Sequence, residues 1–224
     1  MSGYLETIYF RDESDRNQYP QALCNHLVVK YKINQGTKLL DVGCGKGNHV
    51  VGFNRCGIDV IGLDQYTNQS MAMEVRECNF EKDKFPITYR SFDVVFSKSV
   101  LEHVSNTDHI LGEMHRALKP CGRVILMVPD WDSNHRWFWD DYTHVKPWTR
   151  KSLQNAMRIH GFRNVRCEYF RQLPILWKYP WLKLICDITA LLPPSLKWKD
   201  KKEEQHRKFL RFSMEKMLLA TGLK

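Results

Sequence analysis

Apolar residues in this chain fall into short continuous runs, separated by longer segments with helical spacing. The runs cover residues 38–42, 58–63, 91–96 and 123–128. Short apolar runs bounded by turn residues are typical of strands that are buried on both faces of a sheet. Residues 48–56 and 108–118 instead place apolar side chains three and four positions apart, the spacing of an amphipathic helix. This alternation predicts an α/β fold, with a doubly wound, mostly parallel sheet and helices on both faces.

The same rules extend the prediction towards both ends of the chain. The further predicted elements are helices at residues 19–31, 71–76 and 149–161, and strands at 162–170 and 217–222. The last of these strands is expected to run antiparallel to its neighbours. The chain then divides into an N-terminal helical lead-in at residues 1–35, a core at 36–170 and a C-terminal extension at 171–224.

The first strand leads directly into a turn in which Gly43, Gly45 and Gly47 alternate with other residues. Glycine is required where the backbone adopts a positive φ or where a ligand lies against the main chain. The turn therefore predicts a nucleotide-type binding site at the carboxyl edge of the sheet. A dinucleotide site would have its third glycine where Asn48 stands. Asp41, just before the turn, suits a ligand with a cationic group better than a pyrophosphate.

Several motifs resemble, in order along the chain, those of the class I S-adenosylmethionine-dependent methyltransferases. They are residues 39–47 (the glycine turn), 61–64, Asn79-Phe80, 92–95 with 100–103, and 118–122. Cys121 replaces a glycine that the last motif usually has. The resemblance covers about residues 37–170. It implies a Rossmann-like sheet of seven strands with an antiparallel last strand, and S-adenosyl-L-methionine as the cofactor.

The resemblance also implies which residues hold this cofactor. They are Asp41, Gly43, Cys44, Gly45, Gly47, Asp64, Asn79, Phe80 and Ser97. Asp64 is expected to accept hydrogen bonds from both ribose hydroxyls, and Asn79 to meet the adenine amino group in place of the usual acid. Simpler roles stay open. The alternative for Asp64 is a helix cap, for Asn79 and Ser97 a place in a turn, and for Phe80 a place in the core.

Residues 130–148, after the fifth main strand, are dense in aromatic, acidic and histidine side chains. A loop at the ligand edge of such a sheet is the expected substrate pocket. The candidate substrate contacts are Trp131, His135, Trp139, Tyr142 and Trp148. Residues 141–149 resemble an Asp-x-Thr-His-x-x-Pro stretch found in methyltransferases of polysaccharide and small-metabolite pathways.

A histidine beside an acid can supply a base near neutral pH. We predict His144, with Asp141 nearby, as the base, and His103 as a further catalytic candidate. Structural hydrogen bonding is the alternative role for both histidines. The acids and histidines of the loop lack the fixed spacing of a metal site, so no metal is predicted.

The composition, with 43% hydrophobic and 26% charged residues, is that of an ordinary soluble globular protein. The seven cysteines form no CxxC pair, which argues against zinc ribbons and iron–sulfur motifs. No secretion signal and no apolar run long enough to span a bilayer are present. These features predict reduced thiols and a cytoplasmic protein.

The net charge of +9 is concentrated in the last third of the chain. Residues 151–224 contain 16 Lys and Arg against 6 Asp and Glu. Such an excess predicts an anionic partner there, either an anionic membrane surface at which the protein is peripheral or an anionic substrate. A solvated basic face is the plainer alternative. Nucleic acid is disfavoured as a partner, because no RNA-binding module is present.

We therefore expect a methyltransferase that O-methylates a small molecule or a sugar or polysaccharide precursor. After the fourth strand, residues 97–100 read Ser-Lys-Ser-Val, not the Asn/Asp-Pro-Pro-Tyr/Phe motif of enzymes that methylate adenine or glutamine nitrogens. An RNA methyltransferase that uses the basic tail is one alternative. A non-catalytic partner protein that keeps the cofactor fold is the other. The sequence predicts no oligomeric state.

Overall fold

The computed structural model describes residues 18–65, 73–189 and 215–224. Its helices are α1 (Gln18–Tyr31), α2 (Asn48–Arg55), α3 (Thr107–Ala117), α4 (Trp131–Asn134), α5 (Arg150–Ile159), α6 (Pro174–Lys178) and α7 (Lys183–Thr189). Its strands are β1 (Lys38–Val42), β2 (Asp59–Asp64), β3 (Val75–Glu77), β4 (Phe92–Lys98), β5 (Leu118–Pro129), β6 (Arg163–Arg171) and β7 (Lys216–Leu223). Short 3₁₀ turns lie at Phe138–Asp140 and Pro180–Leu182. The alternation of strands and helices confirms the predicted α/β class.

The strands form one seven-stranded sheet in the order β3-β2-β1-β4-β5-β7-β6. The central strand β1 pairs in parallel with β2 and β4, and Leu40 lies opposite both Ile61 and Val95. Strand β7 pairs antiparallel with β5 on one side and β6 on the other. A mostly parallel sheet with an antiparallel last strand is therefore confirmed. Its parallel strands bring their carboxyl ends to one edge, where ligands bind in such folds.

Successive residues of β1 face opposite sides of the sheet, and each side carries its own core. Leu40 belongs to a core that includes Ile110 of α3 and Leu153 of α5. Leu39 belongs to the other core, with Leu27 of α1 and Phe53 of α2 among its members. Both layers are needed because an apolar strand in a parallel sheet must be covered on both faces.

Two element predictions are wrong in their bounds or type. The helix predicted at residues 71–76 is contradicted, because Val75 and Arg76 lie in strand β3 and pair with Gly62 and Leu63. Pairing with the exposed edge of β2 overrides the local helical spacing. Residues 71–72 lie outside the described residues. Strand β5 begins at Leu118, earlier than predicted, because the chain turns extended directly after α3.

In its described residues, the C-terminal extension contributes the short helices α6 and α7 and the last strand. Leu173, Leu176 of α6 and Cys186 of α7 form a small third core of their own. The charged stretch at residues 197–208 lies outside the described residues. Within the described ranges, no helix combines the length and apolar character needed to cross a bilayer. The proposed boundaries at residues 35 and 170 stay predictions.

Candidate active site

The glycine turn joins β1 to α2 at the carboxyl edge of the sheet, and all three of its glycines have positive φ. Position 43 requires glycine for two reasons, its backbone φ of 79° and the close packing around it. A Cβ built on Gly43 would lie only 2.1 Å from Cγ2 of Val100. Val100 follows β4, so this contact presses the turn directly against the segment that continues to Glu102 and His103. Any side chain at Gly43 would separate them.

Gly45 is different, because a Cβ on it would meet no atom within 4 Å. Its φ of 54° is positive, and its backbone N–H donates a 2.7 Å hydrogen bond to Oδ2 of Asp64. The turn is thus tied to the end of β2, while the space in front of Gly45 is open. Gly47, at φ 73°, forms the N-cap of α2. This is the shape of a main-chain cradle for a ligand.

Asp41 lies at the end of β1 and is only 1% exposed. Its Oδ2 is buried without a hydrogen-bond partner. Burial, together with the nearby charge of Asp64, raises the pKa of the Asp41 carboxyl to about 8, and Lys98 opposes the rise. A buried carboxyl that lacks a partner is costly, so a cationic or hydrogen-bonding ligand group would be favourable here.

Other predicted cofactor residues have side chains with structural partners. Cys44 is buried and packs on Gly62, so only its main chain lies along the turn. Ser97 is buried and donates a 2.8 Å hydrogen bond from its hydroxyl to the Val42 carbonyl, pinning β4 to β1. Phe80 is 3% exposed and packs edge-to-face on Phe85 in the core.

Asn79 sits in the turn after β3, where its side-chain oxygen accepts a 3.0 Å hydrogen bond from the Glu81 N–H. Its own N–H donates to Oδ2 of Asp83 at 3.0 Å. These contacts match the turn role that the sequence left open. The amide group of Asn79 is half-buried, and no contact described for it faces the glycine turn.

On the far side of the same edge, His103 and His144 stand with their ring centroids 4.7 Å apart. The pKa of His103 is lowered by burial and by the neighbouring His144. His144 is held by a 2.6 Å hydrogen bond between its Nδ1 and the Phe138 carbonyl. The rings of His144 and Phe138 also pack together, with their centroids 4.3 Å apart. Its Nε2 lies 3.9 Å from Oδ2 of Asp141.

Asp141 reaches His103 through a threonine. The hydroxyl of Thr143 donates to Oδ1 of Asp141 at 2.6 Å and contacts Nδ1 of His103 at 2.9 Å. Thr143 also donates its N–H to the same carboxylate oxygen. Burial raises the pKa of Asp141, but the hydrogen bonds that Thr143 donates, together with His144 and His103 nearby, outweigh it and hold this pKa below its usual range. The predicted catalytic residues are therefore brought together.

The loop that carries His144 is anchored by main-chain bonds. The Glu102 carbonyl accepts hydrogen bonds from the N–H groups of Val145 and Lys146, at 2.8 and 3.1 Å. The Trp131 N–H donates to the Trp148 carbonyl at 2.8 Å, which closes the two ends of the loop. These bonds fix His144 beside the segment that follows β4.

The predicted substrate contacts divide by exposure. Tyr142 is 83% and Trp139 55% exposed, His135 is exposed and Trp131 is half-buried. Trp131 packs edge-to-face against Phe138 and Trp139. Trp148 is only 2% exposed and belongs to the core beneath the loop, which favours a structural role. The exposed aromatic side chains remain candidates for acceptor contact.

A sequence model described as "Methyltransferase domain" matches residues 13–166. The chain belongs to this family. A ubiquinone biosynthesis O-methyltransferase of Rhodopseudomonas palustris is 31% identical over 102 residues, which cover 41% of this chain and 39% of that protein. The chain thus spans about two fifths of the length of the curated relatives it matches.

Solved structures resemble this chain in fold, and two of them illustrate the likeness. A SAM-dependent methyltransferase from Archaeoglobus fulgidus has a TM-score of 0.64 at 18% identity, covering 92% of this chain and 94% of that one. Phosphoethanolamine N-methyltransferase 2 of Haemonchus contortus, in complex with S-adenosyl-L-methionine, has a TM-score of 0.60 at 17% identity, covering 89% of this chain and 52% of that one. Both likenesses confirm the Rossmann-like methyltransferase fold.

Sequence reasoning missed two residues of the candidate site, Glu102 and Thr143. Glu102 is 1% exposed, its Oε2 has no hydrogen-bond partner, and burial raises the pKa of its carboxyl to about 8. Thr143 links Asp141 to His103. Each directly precedes a histidine that was predicted to be catalytic, and this adjacency was the available signal. Adjacency in sequence alone assigns no role to either residue, because only the fold shows which side-chain atoms are in contact.

Proposed function

We propose that this methyltransferase transfers a methyl group from S-adenosyl-L-methionine to a hydroxyl of a small molecule. One observation carries the proposal. Val100 packs on Gly43 of the glycine turn, and the same short segment presents Glu102 and His103 beside His144. A cofactor cradle and a basic, half-buried acceptor site therefore share one edge of the sheet, as transfer between two bound molecules requires.

The residues of the glycine turn fit this methyl donor. The open space at Gly45 admits a ligand to the main chain, and the unpaired buried oxygen of Asp41 suits its ammonium group. Asp64, already bonded to the turn, would accept from the ribose hydroxyls. S-adenosyl-L-methionine supplies a methyl group on a sulfonium that is already activated.

The acceptor side favours oxygen as the methylated atom. A hydroxyl profits from a group that takes its proton, whereas a thiol needs less help. His144, with Asp141 3.9 Å from its Nε2, is proposed to act on that proton, and His103 stands beside it. The Rhodopseudomonas relative is an O-methyltransferase by name, which supports the choice. A sugar or polysaccharide precursor stays among the candidate acceptors.

A labelled-methyl assay over phenols, sugar nucleotides, amines and RNA tests the proposal. We expect transfer to a hydroxyl compound, and His144→Ala should abolish turnover while cofactor affinity is kept. Asp64→Ala should weaken S-adenosyl-L-methionine binding at least about tenfold, since a charge-assisted hydrogen bond is worth about 1.5–3 kcal/mol. Wild-type protein that binds no S-adenosyl-L-methionine would favour the non-catalytic alternative.

We further propose that the C-terminal extension contacts an anionic lipid surface. Helix α7 and the turn before it expose Trp181 (69%), Leu184 (69%) and Ile188 (60%), with Lys178 and Lys183 in the same stretch. Exposed apolar side chains beside basic ones are typical of interfacial segments. Sedimentation with vesicles of phosphatidylcholine and phosphatidylserine should pellet the protein, and Trp181→Ser with Leu184→Ser should release it. Equal recovery with pure phosphatidylcholine would contradict the charge contribution.

A further inference from the structure

Glu102, His103 and His144 each offer one ligand atom, and these three atoms all lie within 4.8 Å of one another. We infer that they form a binding site for a divalent transition-metal cation of the Zn²⁺ type, which would hold the acceptor hydroxyl. The sequence alone assigned no metal ligand and left the need for a metal open. This inference deepens the proposed function, on which its chemical role rests, but cation binding itself can be measured separately.

Glu102 gives the first reason. Its side chain is 1% exposed and its Oε2 has no hydrogen-bond partner, although its main-chain carbonyl accepts from two loop N–H groups. A buried carboxylate oxygen without a partner is unfavourable unless it is paired or coordinates a metal. Lys98 and the Ser99 hydroxyl both lie close enough to favour the charged form of the Glu102 carboxyl, yet neither gives Oε2 a hydrogen bond. A cation in the cluster would satisfy it.

The two histidines give the second reason, because hydrogen bonds fix their tautomers. The Phe138 carbonyl can only accept, so Nδ1 of His144 carries the proton in their 2.6 Å bond. The Thr143 hydroxyl spends its proton on Asp141, so Nδ1 of His103 donates to the Thr143 oxygen. The nitrogen suited to bind a cation is therefore Nε2 in both rings. Metal-binding histidines usually donate their other N–H to a carbonyl or carboxylate in this way.

The donor set indicates the class of cation. Two imidazoles and one carboxylate suit Zn²⁺ and its first-row neighbours, whereas Mg²⁺ and Ca²⁺ favour oxygen ligands. Ligand atoms at about 2.0–2.2 Å from one cation stand about 3–3.5 Å apart. The present separations of up to 4.8 Å would therefore close by small side-chain rotations. Three protein ligands leave a coordination position for the acceptor.

The cation would change how the histidines act. It would act as a Lewis acid on the acceptor oxygen, so the hydroxyl would lose its proton to water more easily, with the O–H electron pair staying on oxygen. His103 and His144 would then be ligands that act on the acceptor through the cation. Thr143 and Asp141 would be positioning residues, because they orient His103 without touching the cation.

Titration with Co²⁺, followed by visible absorption, and with Zn²⁺, followed by metal content after dialysis, tests the site. We expect one equivalent per folded chain. Glu102→Gln and His144→Asn should each weaken binding more than about 100-fold, and Thr143→Val by about 10–100-fold, as expected for loss of a supporting partner. The matched control is His160→Asn. His160 lies at the end of α5 and pairs with Asp108, so its loss should leave the affinity for Co²⁺ unchanged.

Wild-type protein that binds neither ion would overturn the site, as would unchanged Co²⁺ affinity in folded Glu102→Gln and His144→Asn. Circular dichroism establishes folding. If either ligand variant unfolds, Thr143→Val decides, since it keeps all three ligands. Calorimetry with S-adenosyl-L-methionine separates the two proposals. Protein that binds this compound but no Co²⁺ refutes the cation site alone, and protein that binds Co²⁺ but not this compound refutes the proposed function.

Discussion

The two halves of the candidate site are built in opposite ways. In the glycine turn at residues 43–47, the site is defined by backbone conformation and by three glycines that have no side chain. In the loop at residues 130–148, side chains define it, and hydrogen bonds to Thr143 and Phe138 set the orientation of two imidazoles. A ligand common to many enzymes can be held by main chain. An acceptor that differs between enzymes requires side chains, which can vary.

Within the loop, Trp148 is a buried structural residue and Trp139 an exposed candidate for acceptor contact. The largest loss of stability is expected from a substitution of Trp148. Trp148→Ala removes a core side chain that is 2% exposed and should destabilise the protein by about 3–5 kcal/mol. Trp139→Ala, at 55% exposure, should cost under about 1 kcal/mol. Urea unfolding measures both. Equal losses would mean that the loop is one packed unit with no free contact face.

Gly43→Ala tests whether the turn is set by packing. The new Cβ would clash with Val100 at a φ of 79°, so we expect about 2–5 kcal/mol of lost stability. Gly112→Ala, in open space on α3, is the matched control and should stabilise slightly. Thermal unfolding of the two variants makes the comparison. A Gly43→Ala protein as stable as wild type would show that the turn can yield.

The sequence predicted the glycine turn itself, and for a physical reason. Positive φ and close approach demand glycine, so Gly43, Gly45 and Gly47 mark the turn in the sequence itself. Parallel strands also require continuous apolar runs, which located β1, β2, β4 and the second half of β5. The edge strand β3 was missed because its pairing with β2 is a tertiary effect.

The acceptor half was predicted only as a region. His144, Asp141 and His103 were named, but the bond from Thr143 to both Asp141 and His103 depends on how the loop folds back. Trp148 and Trp139 have the same residue type and opposite exposure, which composition cannot distinguish. Residue roles in such a loop are set by contacts distant in sequence.

Gly45→Ala should separate binding from folding in the turn. Its Cβ meets nothing within 4 Å, so the cost to stability is limited to the strain at a φ of 54°, about 1–2 kcal/mol. The methyl group would nevertheless enter the space that the cofactor needs, and we expect its affinity to fall at least about tenfold. Calorimetry measures the cofactor affinity, and thermal unfolding measures the stability. Undiminished affinity would place the cofactor away from Gly45.

A pH dependence is expected from Asp41. Burial raises its pKa from 3.8 to about 8, so the folded protein holds a proton that the unfolded chain has lost, and this carboxyl lowers stability as pH rises from about 4 to about 8. Affinity for a cationic ligand should instead increase over the upper part of that range, as the carboxylate forms. Calorimetry from pH 6 to pH 9, with Asp41→Asn as the comparison, measures it. If the affinity of Asp41→Asn changes with pH as steeply as that of the wild type, the pH dependence comes from the ligand and not from Asp41.

The division between the two halves is tested most directly by calorimetric titration of S-adenosyl-L-methionine into Asp64→Ala and His144→Asn. Asp64 bonds to the Gly45 N–H, whereas His144 belongs to the acceptor loop. We predict that Asp64→Ala loses affinity at least about tenfold and that His144→Asn binds as the wild type does while transferring no labelled methyl group. Equal loss of affinity in both variants would contradict the assignment of separate halves.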